Sequence, residues 1–361
     1  MRIVVLGGYG DMGQGVLQDL VTHSDAEVVI ADYRVEGAKA YAARLGGNVA
    51  ATFVDANDPD SLAAVLQGAD AAVGAIGPFY RYAPKMTTAA VKAAVSYVDI
   101  CDDYGPIKEV LNLDGAAKAA GITLITGLGW TPGITNLMCR AGASHLDTVD
   151  EIKVAWAGGA QDSQGLAVVM HVFYAVTGRV PTYKDGRWAE VPAGSGKEVV
   201  DFGGALGRVP VYHCGHPEPM TVPRYISVPN VSLKGALTPD WNNKLADLFV
   251  KLGLTSTPKR IENLSKIIHK VEHILGAGGV PYSGARVDVI GHKDGQMRVH
   301  TYRTIDKMKR LTGIPAAIGA LMLAQGEIKV KGVYAPEGCL EPEQFFAELA
   351  KHGIKIEEMV S

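Results

Sequence analysis

The run Gly8-Tyr9-Gly10-Asp11-Met12-Gly13 has the spacing G-x-G-x-x-G. The three glycines suit a phosphate-cradling turn. One closes the turn, one lets backbone approach a diphosphate, and one lets the following helix pack close to the preceding strand. The positive end of that helix then faces the anion. The apolar run Ile3-Val4-Val5-Leu6 precedes the glycines, and Met12, Val16 and Leu20 follow at helical spacing. That context separates a dinucleotide site from an ordinary glycine-rich turn. Asp32 ends the next apolar run, about twenty residues further on, where a carboxylate accepts both adenosine ribose hydroxyls and repels a 2′-phosphate. NAD is therefore the expected cofactor. NADP stays possible because the guanidinium of Arg34 could hold such a phosphate, its plain reading being a solvated arginine. Topology adds Asp55, after the third strand, at the adenine end, and Gly77, Pro78 and Phe79, after the fourth, beside the nicotinamide.

The elements that must position these residues alternate along the first third of the chain. Short apolar runs at 3–6, 28–30, 52–54, 71–76, 97–101 and 122–125 read as strands buried on both faces, with helical patterns between them. Asp58-Pro59 is an N-cap with proline at the first helical position, and one helix is expected over 104–120. Right-handed crossovers then give a doubly wound parallel sheet of order 3-2-1-4-5-6, an α/β Rossmann arrangement. The rhythm stops near Gly127–Gly133. Beyond it, hairpin signals at Lys184-Asp185-Gly186 and Lys293-Asp294-Gly295 mark a second α+β domain with a mixed or antiparallel sheet. The expected division is 1–130, completed by 306–361, and 131–305.

Composition narrows the class of function. With 361 residues and 47% hydrophobic content there is material for two cores. A net charge of -3 supplies no basic field for nucleic acid. The apolar runs are too short to span a membrane, and the start reads as strand and turn rather than an export signal. Cys101, Cys139, Cys214 and Cys339 are widely spaced and read as reduced thiols of a cytoplasmic protein.

Several runs resemble the saccharopine dehydrogenase family: Gly77-Pro78-Phe79-Tyr80, 97–103, 129–136, 215–219 with Pro223-Arg224, and 332–338 with Phe345-Phe346. The resemblance implies NAD(P)-dependent hydride transfer at a carbon bearing an amine, with an amino acid or opine-like secondary amine as substrate, in a two-domain subunit that is often a homodimer. The stretch 241–277 matches no pattern of the family.

Amine oxidation needs a proton carrier and, for a carboxylate substrate, a guanidinium fork. Asp103, His171 and His216 are the catalytic candidates, and Asp102, Glu218, Arg224 and Lys234 the substrate-binding ones. Each has a plainer reading. Asp102 and Asp103 could cap a helix, His171 could be a hydrogen-bonded core histidine, His216, Glu218 and Arg224 could belong to a rigid proline-rich loop, and Lys234 could be an edge charge. His269 and His273 are four apart near Glu272, but a third metal ligand is missing from the pattern, and a solvated basic helix is the better reading, so no metal is expected. Two other functions fit the same scaffold, a dinucleotide-binding sensor or scaffold subunit without catalysis and a reductase of ketone or enoyl substrates.

Overall fold

The computed structural model describes residues 1–162, 165–275 and 279–361, the side chains of 272–275 excepted. The first unit runs β1 (Arg2–Leu6), α1 (Asp11–His23), β2 (Glu27–Asp32), α2 (Val35–Leu45), β3 (Val49–Phe53), α3 (Pro59–Leu66), β4 (Ala71–Gly74), α4 (Phe79–Ala93), β5 (Ser96–Asp99), α5 (Ile107–Leu111), α6 (Asp114–Ala119) and β6 (Thr123–Ile125). The second runs α7 (Ile134–Ser144), β7 (Thr148–Gly159), α8 (Leu166–Ala175), β8 (Arg179–Lys184), β9 (Arg187–Pro192), β10 (Glu198–Asp201), β11 (Arg208–His213), α9 (Glu218–Tyr225), β12 (Val231–Thr238), α10 (Trp241–Lys251), α11 (Pro258–Leu275), β13 (Ser283–Lys293) and β14 (Gln296–Asp306). The chain closes with α12 (Met308–Ala324), β15 (Gly332–Tyr334), α13 (Pro342–Lys351) and β16 (Glu357–Val360).

Seven parallel strands form the first sheet in the order β15-β6-β5-β4-β1-β2-β3. This is the expected Rossmann order with one strand from the chain's end added at the edge. Helices on both faces explain why β4 is wholly buried and why its sequence shows no polar alternation. The segment after β5 departs from the single helix expected over 104–120. Pro106 is the N-cap that starts α5, and the amide of Leu113 turns to the carbonyl of Val110, so the expected helix begins late and breaks into α5 and α6.

The second sheet is mixed, in the order β10-β11-β12-β7-β13-β14-β16, with the β8-β9 hairpin joined to β12. Its β12-β7 pair is parallel and its β13-β14 pair is antiparallel. Asp185-Gly186 and Asp294-Gly295 adopt left-handed φ of 50°, 73°, 51° and 74°, the geometry of the tight hairpins expected there.

The tail serves both sheets. β15 extends the first, β16 extends the second by pairing with β14, and α12 packs on the first unit against α1, β4 and β5. Glycine makes the α1-α12 approach possible. A Cβ on Gly313 would lie 2.5 Å from the carbonyl carbon of Gly15 and 2.6 Å from the amide nitrogen of Val16. Gly313→Ala is therefore expected to destabilise the fold by about 1–3 kcal/mol, read as a lower denaturant midpoint at unchanged m value. An unchanged midpoint would show that the two helices tolerate separation.

Candidate active site

The carboxyl ends of the first sheet open onto one cleft of about 1110 Å³ whose far wall is built by the second unit. Open α/β sheets bind ligands at this edge. Tyr9, Gly10, Asp11 and Met12 line one end of it. Gly10 is the N-cap of α1 and no side chain caps the helix, so its first-turn amides are presented toward the cleft. A Cβ on Gly10 would meet only the Gly7 carbonyl oxygen, at 3.1 Å. Gly8 and Gly13 lie behind this surface. A Cβ on Gly13 would collide with the Gly7 carbonyl oxygen and lie 2.7 Å from the Cα of Gly8, so Gly13 sets the distance between α1 and the turn. Gly7, which the motif does not include, supplies the turn's left-handed φ of 78°.

Asp32 ends β2 and is 6% exposed. Its carboxylate accepts from the amides of Tyr9 at 3.2 Å and Arg34 at 2.9 Å, tying the glycine turn to β2. The Arg34 guanidinium lies 4.8 Å from the centroid of the Tyr9 ring, and its side chain is 63% exposed. Asp11, whose charge would oppose an anion at the helix start, pairs with Lys309 Nζ at 2.7 Å. Asp55, past β3, lines the same cleft on one side of the glycine turn, and Gly77, Pro78 and Phe79, past β4, line it on the other. These residues fit a dinucleotide: Gly10 and the first-turn amides would hold its diphosphate and Asp32 its ribose, with Asp55 and 77–79 the residues expected at its two ends.

At the other end β5 hands the chain to Asp102 and Asp103, α8 brings His171, and the loop before α9 brings His216. Asp103 is fully buried and accepts from the Tyr80 amide at 2.7 Å. Its second oxygen is 2.9 Å from His171 Nδ1, and Asp102 Oδ1 is 3.3 Å from the same nitrogen. His171 Nε2 faces His216 Nε2 at 3.2 Å with the rings nearly perpendicular, at 89°. Burial opposes a charge on His171, but Asp102 and Asp103 outweigh it and raise its pKa to about 9. Burial, reinforced by the His171 charge, holds His216 well below the usual imidazole range, so it accepts at Nε2. Burial also pushes Asp102 up to about 7, against the pull of His171.

Glu218 begins α9, fully buried, and accepts from Thr131 Oγ1 at 2.6 Å and Thr135 Oγ1 at 2.9 Å. Its second oxygen is 3.9 Å from His216 Nδ1, and burial raises its pKa. Thr131 belongs to 129–133, where the sequence rhythm stops, but nothing in its own chemistry marked it. Trp130 and Trp156, which line the cleft beside His216, were equally silent.

Two expected substrate residues lie elsewhere. Arg224 is exposed in the last turn of α9 with Asp114 as a neighbouring charge. The segment 218–225 is a helix rather than a loop, and six residues along a helix turn a side chain about 120° away from Glu218. Lys234 sits on the face of β12 opposite Gly235, which packs against Trp156, and pairs with Glu198 at 2.6 Å. His269 lines the cleft, while the His273 and Glu272 side chains fall outside the described residues. The unassigned stretch 241–277 supplies α10 and α11. They pack on α8 through Met170, Phe173, Ala246 and Ile261 and wall the inner end of the cleft.

Comparison with known proteins agrees with the two-sheet fold. Residues 3–125 match the saccharopine dehydrogenase NADP binding domain and residues 129–354 the saccharopine dehydrogenase C-terminal domain. The chain belongs to the saccharopine dehydrogenase family. It is 23% identical to carboxyaminopropylagmatine dehydrogenase of Synechocystis sp., covering 100% of this chain and 98% of that one. It is 24% identical to carboxynorspermidine synthase of Vibrio alginolyticus, covering 84% and 81%. The fold is that of saccharopine dehydrogenase (L-Glu forming) from Saccharomyces cerevisiae, with a TM-score of 0.74 at 16% identity over 100% and 99% of the chains.

The raised His171 pKa carries a sign. The folded protein holds that proton more tightly than the unfolded chain, so the stabilisation is complete below about pH 6.5 and is lost as pH rises toward about 9. Stability of the wild type is expected to fall across this window and that of His171→Gln to be flatter there, measured by denaturant midpoints. Parallel curves would show that His171 does not titrate in it.

Proposed function

We propose that this chain is an NAD(P)-dependent oxidoreductase acting on the CH–NH or CH–NH2 group of an amino acid or opine-like secondary amine. One observation carries the reading: a single cleft joins an Asp32-pinned glycine turn to the Asp103, His171 and His216 cluster. The relatives named for carboxylated amines point to the same substrate class. The two-domain division, with 1–130 and 306–361 holding cofactor and 131–305 holding substrate, is part of this proposal, as is a cytoplasmic homodimer.

The bound nicotinamide would accept or supply the hydride. The remaining chemistry belongs to the chain. In the oxidising direction the substrate nitrogen gives up a proton, the adjacent carbon its hydride, and water adds to the imine to release a carbonyl compound and an amine. In the oxidising direction neutral His171 would take the proton from nitrogen at Nε2, where the substrate would displace His216, and Asp103 at Nδ1 orients the ring and favours the charge it gains. Asp102, whose side chain is 30% exposed, faces the cleft and suits a substrate ammonium group. With Arg224 turned away, Arg81 on the cleft wall is the guanidinium suited to a substrate carboxylate. The apolar wall of Met170, Phe173, Leu245 and Phe249 suits an aliphatic arm. Asp32 favours NAD.

Wild-type protein is expected to oxidise NADH or NADPH when given a keto or aldehyde acid together with an amine. His171→Gln should lower kcat by about 10²- to 10⁴-fold while leaving cofactor affinity intact. Reduction of ketones or enones with no amine requirement would overturn the amine assignment. Separately, Asp32→Ala is expected to raise KM for NAD more than for NADP. Equal losses for the two cofactors would remove Asp32 from the ribose.

A further inference from the structure

A second cluster lies away from the cleft. Asp19 and His23 are four apart on α1 and therefore share a face. The end of α13 brings His352 against them. His23 Nδ1 is 3.0 Å from Asp19 Oδ1 and 3.2 Å from the Asp19 backbone carbonyl oxygen, which zinc would displace as its partner, and His352 Nδ1 is 2.9 Å from each Asp19 carboxylate oxygen. The two imidazole rings lie 4.0 Å apart, 31° from parallel. One carboxylate oxygen and two ring nitrogens thus fall within 4.8 Å of one another.

We propose that Asp19, His23 and His352 form a zinc site that fastens the C-terminal segment to α1. Two imidazole nitrogens and one carboxylate are a common zinc donor set. Bonds of about 2.0–2.2 Å at tetrahedral angles hold donor atoms about 3.3–3.5 Å apart, so the two nitrogen–oxygen gaps need open by only a few tenths of an ångström. A cation held there would take the Nδ1 lone pair of each ring in place of the hydrogen bond that nitrogen now makes to Asp19. The side chains of Asp19 and His352 are 3% and 9% exposed and hold the site in place, while His23, at 34%, leaves a fourth position open to water. The His352 carbonyl accepts from Arg310 at 3.1 Å, fixing the backbone that carries the third ligand.

The test is titration of Zn2+ into metal-free full-length protein, with bound metal counted by mass spectrometry and Co2+ used as a spectroscopic substitute. One Zn2+ per chain, a four-coordinate Co2+ spectrum and a zinc-dependent rise in Tm are expected for the wild type. Asp19→Asn, which retains the shape and an acceptor oxygen, and His23→Ala, at the most exposed position, should each weaken zinc binding at least tenfold. Two variants guard against loss of fold in either one. His171→Ala should bind zinc as the wild type does, because it alters only the Asp102, Asp103 and His171 group. No stoichiometric zinc on the wild type, full binding in His23→Ala, or loss of binding only in His171→Ala would each overturn the proposal.

Discussion

The cleft depends on one buried carboxylate. Asp103 follows β5 of the first sheet, accepts the Tyr80 amide near the start of α4, and holds His171 on α8 of the second unit. Three chain segments from two units meet at two oxygen atoms. A carboxylate without solvent is costly unless its lone pairs are filled. Here the donors that fill them also close the cleft, so the site's geometry and the anion's stability are the same requirement. The charge favoured on His171 follows from neighbouring Asp102 and from this contact, and the low pKa of His216 follows from burial and from the His171 charge.

The first sheet was legible because its signals are local. Apolar runs, helical spacing and the Gly8-x-Gly10-x-x-Gly13 run each report within a few residues, and the strand order follows from crossover handedness. The seventh strand was not, since Gly332–Tyr334 is too short to stand out and gains its identity only by pairing with β6. Within the site, Asp102, Asp103, His171 and His216 were named from the chemistry they could perform, and the structure brings them together. Arg224 and Lys234 were named in the same way and lie apart from them. The difference is orientation. A helix written as a loop misplaces Arg224, and a strand's alternation cannot say which face meets the cleft until a neighbour such as Trp156 is placed.

The inner wall was the least legible part. Residues 241–275 form α10 and α11, whose apolar residues pack on α8 and whose remaining surface narrows the cleft. Read alone, α11 is a basic amphipathic helix, and such a pattern specifies only that one face is covered. What covers it is decided by α8, which lies far earlier in the chain. The family relationship settles the frame these helices sit in, while their side chains determine the shape of the space left for a substrate.

The path of the chain bears on how the protein is made. Strand β15 completes the first sheet and α12 covers β4 and β5, yet both come from the last part of the sequence. A nascent chain emerging from the ribosome has all of β1 to β6 long before it has α12. Until then the apolar surface that α12 will cover stays uncovered, the state most open to aggregation and to chaperone capture. The amino-terminal unit thus cannot mature ahead of the rest, as a self-contained leading domain would. Its completion waits until α12 and β15 have been made.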